Sequence, residues 1–134
     1  SAAIAAKKPV SGVETFESQL ALFDNLPQET QLKFLAESVT GFDEMATGMV
    51  QLVDSWSKPD PEALAKLMND GLTDPVLYKR LLSDRNANWA KWIDLRMKKP
   101  GIVFMAVGAG HLAGKDSVQT LLKRYKRKAV RVNY

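Results

Sequence analysis

Apolar residues recur at helical spacing along most of this chain. Phe16, Leu20 and Phe23 mark a first helix over residues 14–25, ended near Leu26-Pro27. Pro27 opens a second stripe, Leu32, Leu35 and Val39, which Gly41 stops. Phe42, Met45, Met49, Leu52, Val53 and Trp56 make a third, whose methionines suit gap-filling in a core better than a soft-ligand pocket. Asp60-Pro61 and Asp74-Pro75 each set an N-cap acceptor before a proline at the first helical position, where its missing N–H costs nothing. They open PEALAKLMND, closed by Gly71, and PVLYKRLLSD. RNANWAKWIDLRMKK follows as a further helix, stopped by Lys99-Pro100-Gly101. Trp89 and Trp92 can share its inner face, and Asn86 suits a helix cap.

The period then changes. IVFMAV, residues 102–107, is a continuous apolar run between glycines, too short for an ordinary helix, and predicts a strand buried on both faces. After GAGHLAGKD come a helix over DSVQTLLKRY, with Asp116 at its N-terminus, and a last strand AVRVNY over residues 129–134. Residues 10–13 suit a further short strand. The predicted fold class is therefore α+β, close to α/β: mostly helical, about six helices between two extended segments, with a small sheet. That sheet would hold a C-terminal parallel βαβ unit plus one N-terminal strand. No internal repeat or low-complexity linker divides residues 1–134, so one domain is expected. Three strands would leave sheet edges bare, which points to a larger parent protein and makes pairing between copies, a homodimer through strand edges, an expectation.

Composition narrows the chemistry. At 134 residues and 46% hydrophobic content the chain can build one core, and no apolar run reaches the roughly 20 residues of a membrane span. Cysteine is absent, which excludes disulfides and thiolate metal sites. Much of the net charge of +4 sits in KRYKRKAVR, residues 123–131. Cations at a helix C-terminus complement its dipole, so no nucleic-acid partner is expected.

GAGHLAGKD holds the single histidine, His111. A P-loop fails at two positions: Ala109 stands where the first glycine is needed, and Asp116 replaces the magnesium-binding hydroxyl. A dinucleotide fingerprint, Gly108-Ala109-Gly110-His111-Leu112-Ala113, lacks the acidic residue that should follow the next strand. The stretch also reads as G-x-x-H, Gly108 to His111, just past the end of the predicted strand, where α/β sheets gather their ligands. Gly108 and Gly110 would let the backbone bend close to whatever that histidine touches.

Several stretches together resemble the C-terminal half of the TraB/PrgY/GumN family, whose animal relatives are the Tiki proteases. They are GVET followed by Gln19 and LFDNLP, the two acid-proline helix starts, LLSDRNANWAKWI, VFMAVGAGHLAGKDSV and the closing basic segment. The resemblance implies a metal-dependent hydrolase or protease acting on peptides or proteins. Its site would combine two G-x-x-H motifs and a glutamate, with manganese or cobalt as the ion. On this sequence it places the second G-x-x-H on Gly108 and His111, with Gly110 inside it and Gly114 after it as motif glycines, and the glutamate on Glu14, as ligand or general base. Arg85 of the D-R-N segment would stand beside the site as an anion or carbonyl contact. The first G-x-x-H has no histidine to fill it. A fragment holding half of a larger domain is therefore expected, inactive alone, its metal position unfilled, and of periplasmic or envelope location by family habit. On the residues alone, Glu14 also reads as a solvated carboxylate at a helix start and Arg85 as a surface arginine paired with Asp84. A non-catalytic binding or regulatory module of the envelope is the alternative function.

Overall fold

The structure, a computed structural model, describes residues 2–58 and 60–132. Among these residues eight α-helices follow one another: α1 Ala2–Ala5, α2 Phe16–Asp24, α3 Gln28–Thr40, α4 Met45–Trp56, α5 Pro61–Asp70, α6 Pro75–Tyr78, α7 Asp84–Arg96 and α8 Val118–Leu122. A π turn, Lys79–Ser83, joins α6 to α7, and short 3₁₀ turns occupy Ala109–His111 and Lys123–Tyr125.

The helix starts obey their caps. Asp60 accepts from the Ala63 amide at 3.0 Å, and Asp74 accepts from the amides of Val76 and Leu77 at 2.8 and 3.2 Å. Each such cap contributes about 1 kcal/mol relative to alanine. Thr15 and Ser18 form a reciprocal capping box at the start of α2. The core lies where α7 crosses α8. Trp89 and Ala90 meet Val118, Leu121 and Leu122 there, and Val13, Ile93, Met105 and Val107 pack around them. Burial of each leucine-sized side chain contributes about 1.5–3 kcal/mol. In α2, α3 and α4 the apolar stripes remain largely uncovered; Leu35, Met49 and Trp56 are all exposed.

The expected sheet is absent. Among the described residues there is no β-strand, so the fold is helical rather than α+β, without a βαβ unit or an N-terminal strand. Strands need a ladder partner, and residues 10–13, 102–107 and 129–132 do not pair with one another. Residues 133 and 134 of the expected last strand lie outside the described residues. The run at 102–107 is not buried on both faces either. Met105 and Val107 reach the core, while Ile102 and Phe104 are about fully exposed. Among the described residues there is thus no strand edge to support the expected homodimer.

Smaller departures follow the same pattern of local rules meeting tertiary ones. PVLYKRLLSD and RNANWAKWIDLRMKK are one helical run through the π turn rather than two helices. The last helix opens at Val118 with Ser117 as its N-cap, accepting from the Thr120 amide, so Asp116 stands before the cap. Trp92 is more than a third exposed, so Trp89 alone of the two enters the core. No helix among the described residues is long and apolar enough to cross a membrane.

Candidate functional site

Glu14 is set in place by its neighbours in sequence. A Cβ on Gly12 would come within 2.7 Å of the Glu14 carbonyl oxygen, so the tight turn of G-x-E requires glycine at its first position. Thr15 then caps α2 and fixes the backbone just after the glutamate. Gln19, one turn into α2, donates to Glu14 Oε2 at 3.3 Å.

From α7, across 71 residues of sequence, Arg85 meets that carboxylate with both edges of its fork. Nε donates to Oε1 at 2.9 Å and Nη2 to Oε2 at 2.8 Å. Bidentate pairs of this kind are the strong ones. The third arm, Nη1, donates to the Leu81 carbonyl in the π turn at 3.2 Å. One helical turn on, the indole of Trp89 lies 5.0 Å from the guanidinium carbon, within cation–π range.

His111 closes the cluster. The 3₁₀ turn after Gly108 brings it back against α7, with its ring 4.6 Å from that of Trp89. Its Nε2 lies 3.5 Å from Arg85 Nη1, and its Nδ1 lies 2.6 Å from Asn86 Oδ1. Asn86 is fully buried and donates through Nδ2 to the Asp116 carbonyl at 2.7 Å. The Tyr78 hydroxyl donates to the Asp116 carboxylate at 3.0 Å, so residue 116 is held from both sides of the π turn.

Electrostatics follow from these contacts. The hydrogen bonds and charge of Arg85 hold the Glu14 carboxyl below its ordinary value, against an opposing effect of burial. Burial, with the charge of Arg85 added, pushes the His111 imidazole down, and Glu14 only partly offsets them. At neutral pH the cluster is therefore a carboxylate, a guanidinium and a neutral imidazole. A cleft of about 700 Å³ opens beside it, lined by Glu14, Arg85, Trp89 and Trp92 together with Thr15 and Ser18. His111 does not line this cleft; Arg85 stands between them.

A sequence profile of the TraB/PrgY/gumN family matches residues 1–130. The chain belongs to that family. It is similar to the uncharacterized protein YbaP of Escherichia coli, 31% identical over 121 residues, which cover 87% of this chain and 42% of YbaP. YbaP of Shigella flexneri matches to the same extent. The chain thus spans about two fifths of the length of these curated relatives. No solved structure matches it.

Of the residues that the TraB/PrgY/gumN resemblance singles out, Glu14, Arg85 and His111 converge from three separate stretches of chain. Asp84 pairs with Lys79 and leaves Arg85 to Glu14. The glycines divide. A Cβ on Gly108 would make ordinary contact with His111, whereas on Gly110 it would meet Asn69 Oδ1 at 2.9 Å. Gly110 therefore lies close to Asn69, which donates to its carbonyl at 2.9 Å. Gly114, with φ +81°, makes the left-handed turn before α8. The expectation that Asn86 caps a helix fails: it lies inside the helical run, buried and bridging His111 to residue 116. Its signal in the sequence was a polar residue in step with Trp89 and Ile93 on the inner face of a helix.

The donors present do not by themselves fit a metal centre. Imidazole and carboxylate suit a borderline divalent ion. Both carboxylate oxygens of Glu14, however, are taken by a guanidinium, itself a cation. Among the described residues no three His, Cys, Asp or Glu side chains gather around a common point.

Proposed function

We propose that this chain supplies part of a hydrolase site acting on peptides, completed by groups in the region that its longer relatives carry outside the matched span. The convergence of Glu14, Arg85 and His111, the first two lining an open cleft and the third behind Arg85, carries the proposal. In it, His111 contributes a neutral imidazole whose Nε2 can take a proton or a ligand. Arg85 offers a fixed positive charge to a carbonyl or carboxylate of the substrate, released in part from Glu14 as substrate enters. Glu14 holds Arg85 until then and presents a carboxylate to the cleft. Manganese or cobalt would need further donors from outside these residues, and no step is assigned to either ion.

The test compares the 134-residue chain with the protein of the length seen in its relatives, each assayed on a mixed peptide library with and without manganese or cobalt. Hydrolysis by the longer form, abolished by His111→Ala and absent from the chain alone, is the expected result. A longer form that folds and cleaves nothing under any of these conditions sinks the proposal. One observation favours a second class of function, a non-catalytic binding module: Arg85 and Glu14 satisfy each other so fully that the cluster is stable without substrate. Such a module would lose binding on changes to the exposed basic segment at residues 123–131 and keep it in His111→Ala.

A further inference from the structure

We infer that Asn86 is a positioning residue that holds His111 in the Nδ1–H tautomer and leaves the Nε2 lone pair directed toward Arg85. The functional weight of this assignment rests on the proposed role of His111; the assignment itself rests on hydrogen-bond chemistry. A backbone carbonyl can only accept, so the Asn86 group 2.7 Å from the Asp116 carbonyl must be the amide NH₂. The opposite end of the same amide is then the oxygen, 2.6 Å from His111 Nδ1. That oxygen can only accept, so Nδ1 carries the proton. Turning the amide over would set its oxygen against the Asp116 carbonyl, two acceptors with no proton between them.

The other ring nitrogen agrees independently. Guanidinium nitrogens are donors without a lone pair, and Arg85 Nη1 lies 3.5 Å from Nε2, a contact that suits a lone pair on the imidazole and opposes an N–H there. Nothing easily loosens the arrangement. Asn86 has no exposed surface, so water cannot replace either of its partners, and the Trp89 indole packs 4.6 Å from the imidazole. A buried acceptor left without its donor is disfavoured, so the Nδ1–H tautomer should outweigh the other by about fivefold or more. An imidazole that accepts a proton or a ligand at one nitrogen is commonly oriented through a hydrogen bond at the other. Asn86 takes that part here, from a position next in sequence to Arg85.

The chain has one histidine, so a single set of ring signals reports the tautomer without assignment. A long-range proton–nitrogen correlation spectrum of the metal-free, isotope-labelled 134-residue chain, recorded at pH 8, should show Nδ1 protonated and Nε2 bare. Asn86→Asp keeps an acceptor and should keep the Nδ1 proton. Asn86→Leu removes it and should shift the ring toward Nε2–H or an exchanging mixture. A wild-type spectrum with Nε2–H, or one averaged over both tautomers, overturns the inference, as does a folded Asn86→Leu protein with the wild-type signals. Should either variant fail to fold, the wild-type spectrum still decides. No turnover is measured, so this result stands or falls apart from the hydrolase proposal.

Discussion

The bidentate contact between Arg85 and Glu14 ties the segment before α2 to α7, and its strength can be worked out before it is measured. Exposed ion pairs contribute about 0.2–1 kcal/mol, whereas stripping one partner from a buried pair costs about 3–5 kcal/mol. The two side chains are 20% and 15% exposed, nearer the buried case, yet they border an open cleft. A coupling of about 2 kcal/mol is expected from two charge-assisted hydrogen bonds in such a setting. Arg85→Met should cost more than Glu14→Gln. The first leaves a carboxylate with Gln19 as its remaining partner, while the second leaves the guanidinium its bond to Leu81 and its place against Trp89. We expect about 3 and about 2 kcal/mol respectively, with the double variant losing about 3 rather than the additive sum. Urea unfolding of the wild type, both single variants and the double variant gives each value from the shift in midpoint at constant slope. A coupling below about 0.5 kcal/mol would mean that solvent screens the pair and that Arg85 does not anchor this segment.

Two further outcomes follow from the same structure. Acid should weaken the fold in two stages. His111 lies below its ordinary 6.5, so the unfolded chain binds its proton first and stability falls as pH drops below that value. Glu14 lies below its ordinary 4.5, so the stability it contributes is present above that pH and lost on further acidification. Unfolding midpoints followed from pH 8 to pH 3 should show the upper stage vanish in His111→Gln; if it persists there, another group is responsible. Gly110→Ala should cost about 1–2 kcal/mol, because its Cβ would come within 2.9 Å of Asn69 Oδ1 and disturb the Asn69 bond to the residue 110 carbonyl. Gly108→Ala, with ordinary contact at 3.7 Å, should stay within about 0.5 kcal/mol, and equal losses in thermal unfolding would refute the distinction.

Helices were legible in this sequence because their signals are local. An aspartate before a proline states its own hydrogen bonds, and Asp60 and Asp74 make them. Strands were not legible, because a strand is defined by a partner elsewhere. IVFMAV has the composition of a buried strand, but Phe104 faces solvent with no second strand beside it. At the candidate site, Glu14, Arg85 and His111 could be named from motif likeness. The pairing of the first two through a fork of hydrogen bonds could not, since Asp84 and Glu14 are equally good partners until the chain is folded. Asn86 was misjudged for a related reason. Asparagine is common at caps and turns, and only tertiary contact reveals one that is buried with both ends of its amide bonded.

The π turn at Lys79–Ser83 sets the angular phase of everything after it. In an unbroken α-helix, residues eight apart are rotated by about 80° from one another, at about 100° per residue. One extra residue absorbed in a π turn takes up that excess, so Tyr78 and Asn86 come nearly into line and both reach residue 116. Deleting a single residue from this turn would leave a continuous helix with its composition almost unchanged. The residues now at 78 and 86 would then stand seven apart, offset by about 20°, so Arg85, Asn86 and Trp89 would keep their phase relative to α6, whereas an added residue would swing them together by about a quarter turn. The extra residue between Pro75 and Asn86 is therefore carried without loss of phase, and a single deletion in this turn should be tolerated far better than a single insertion.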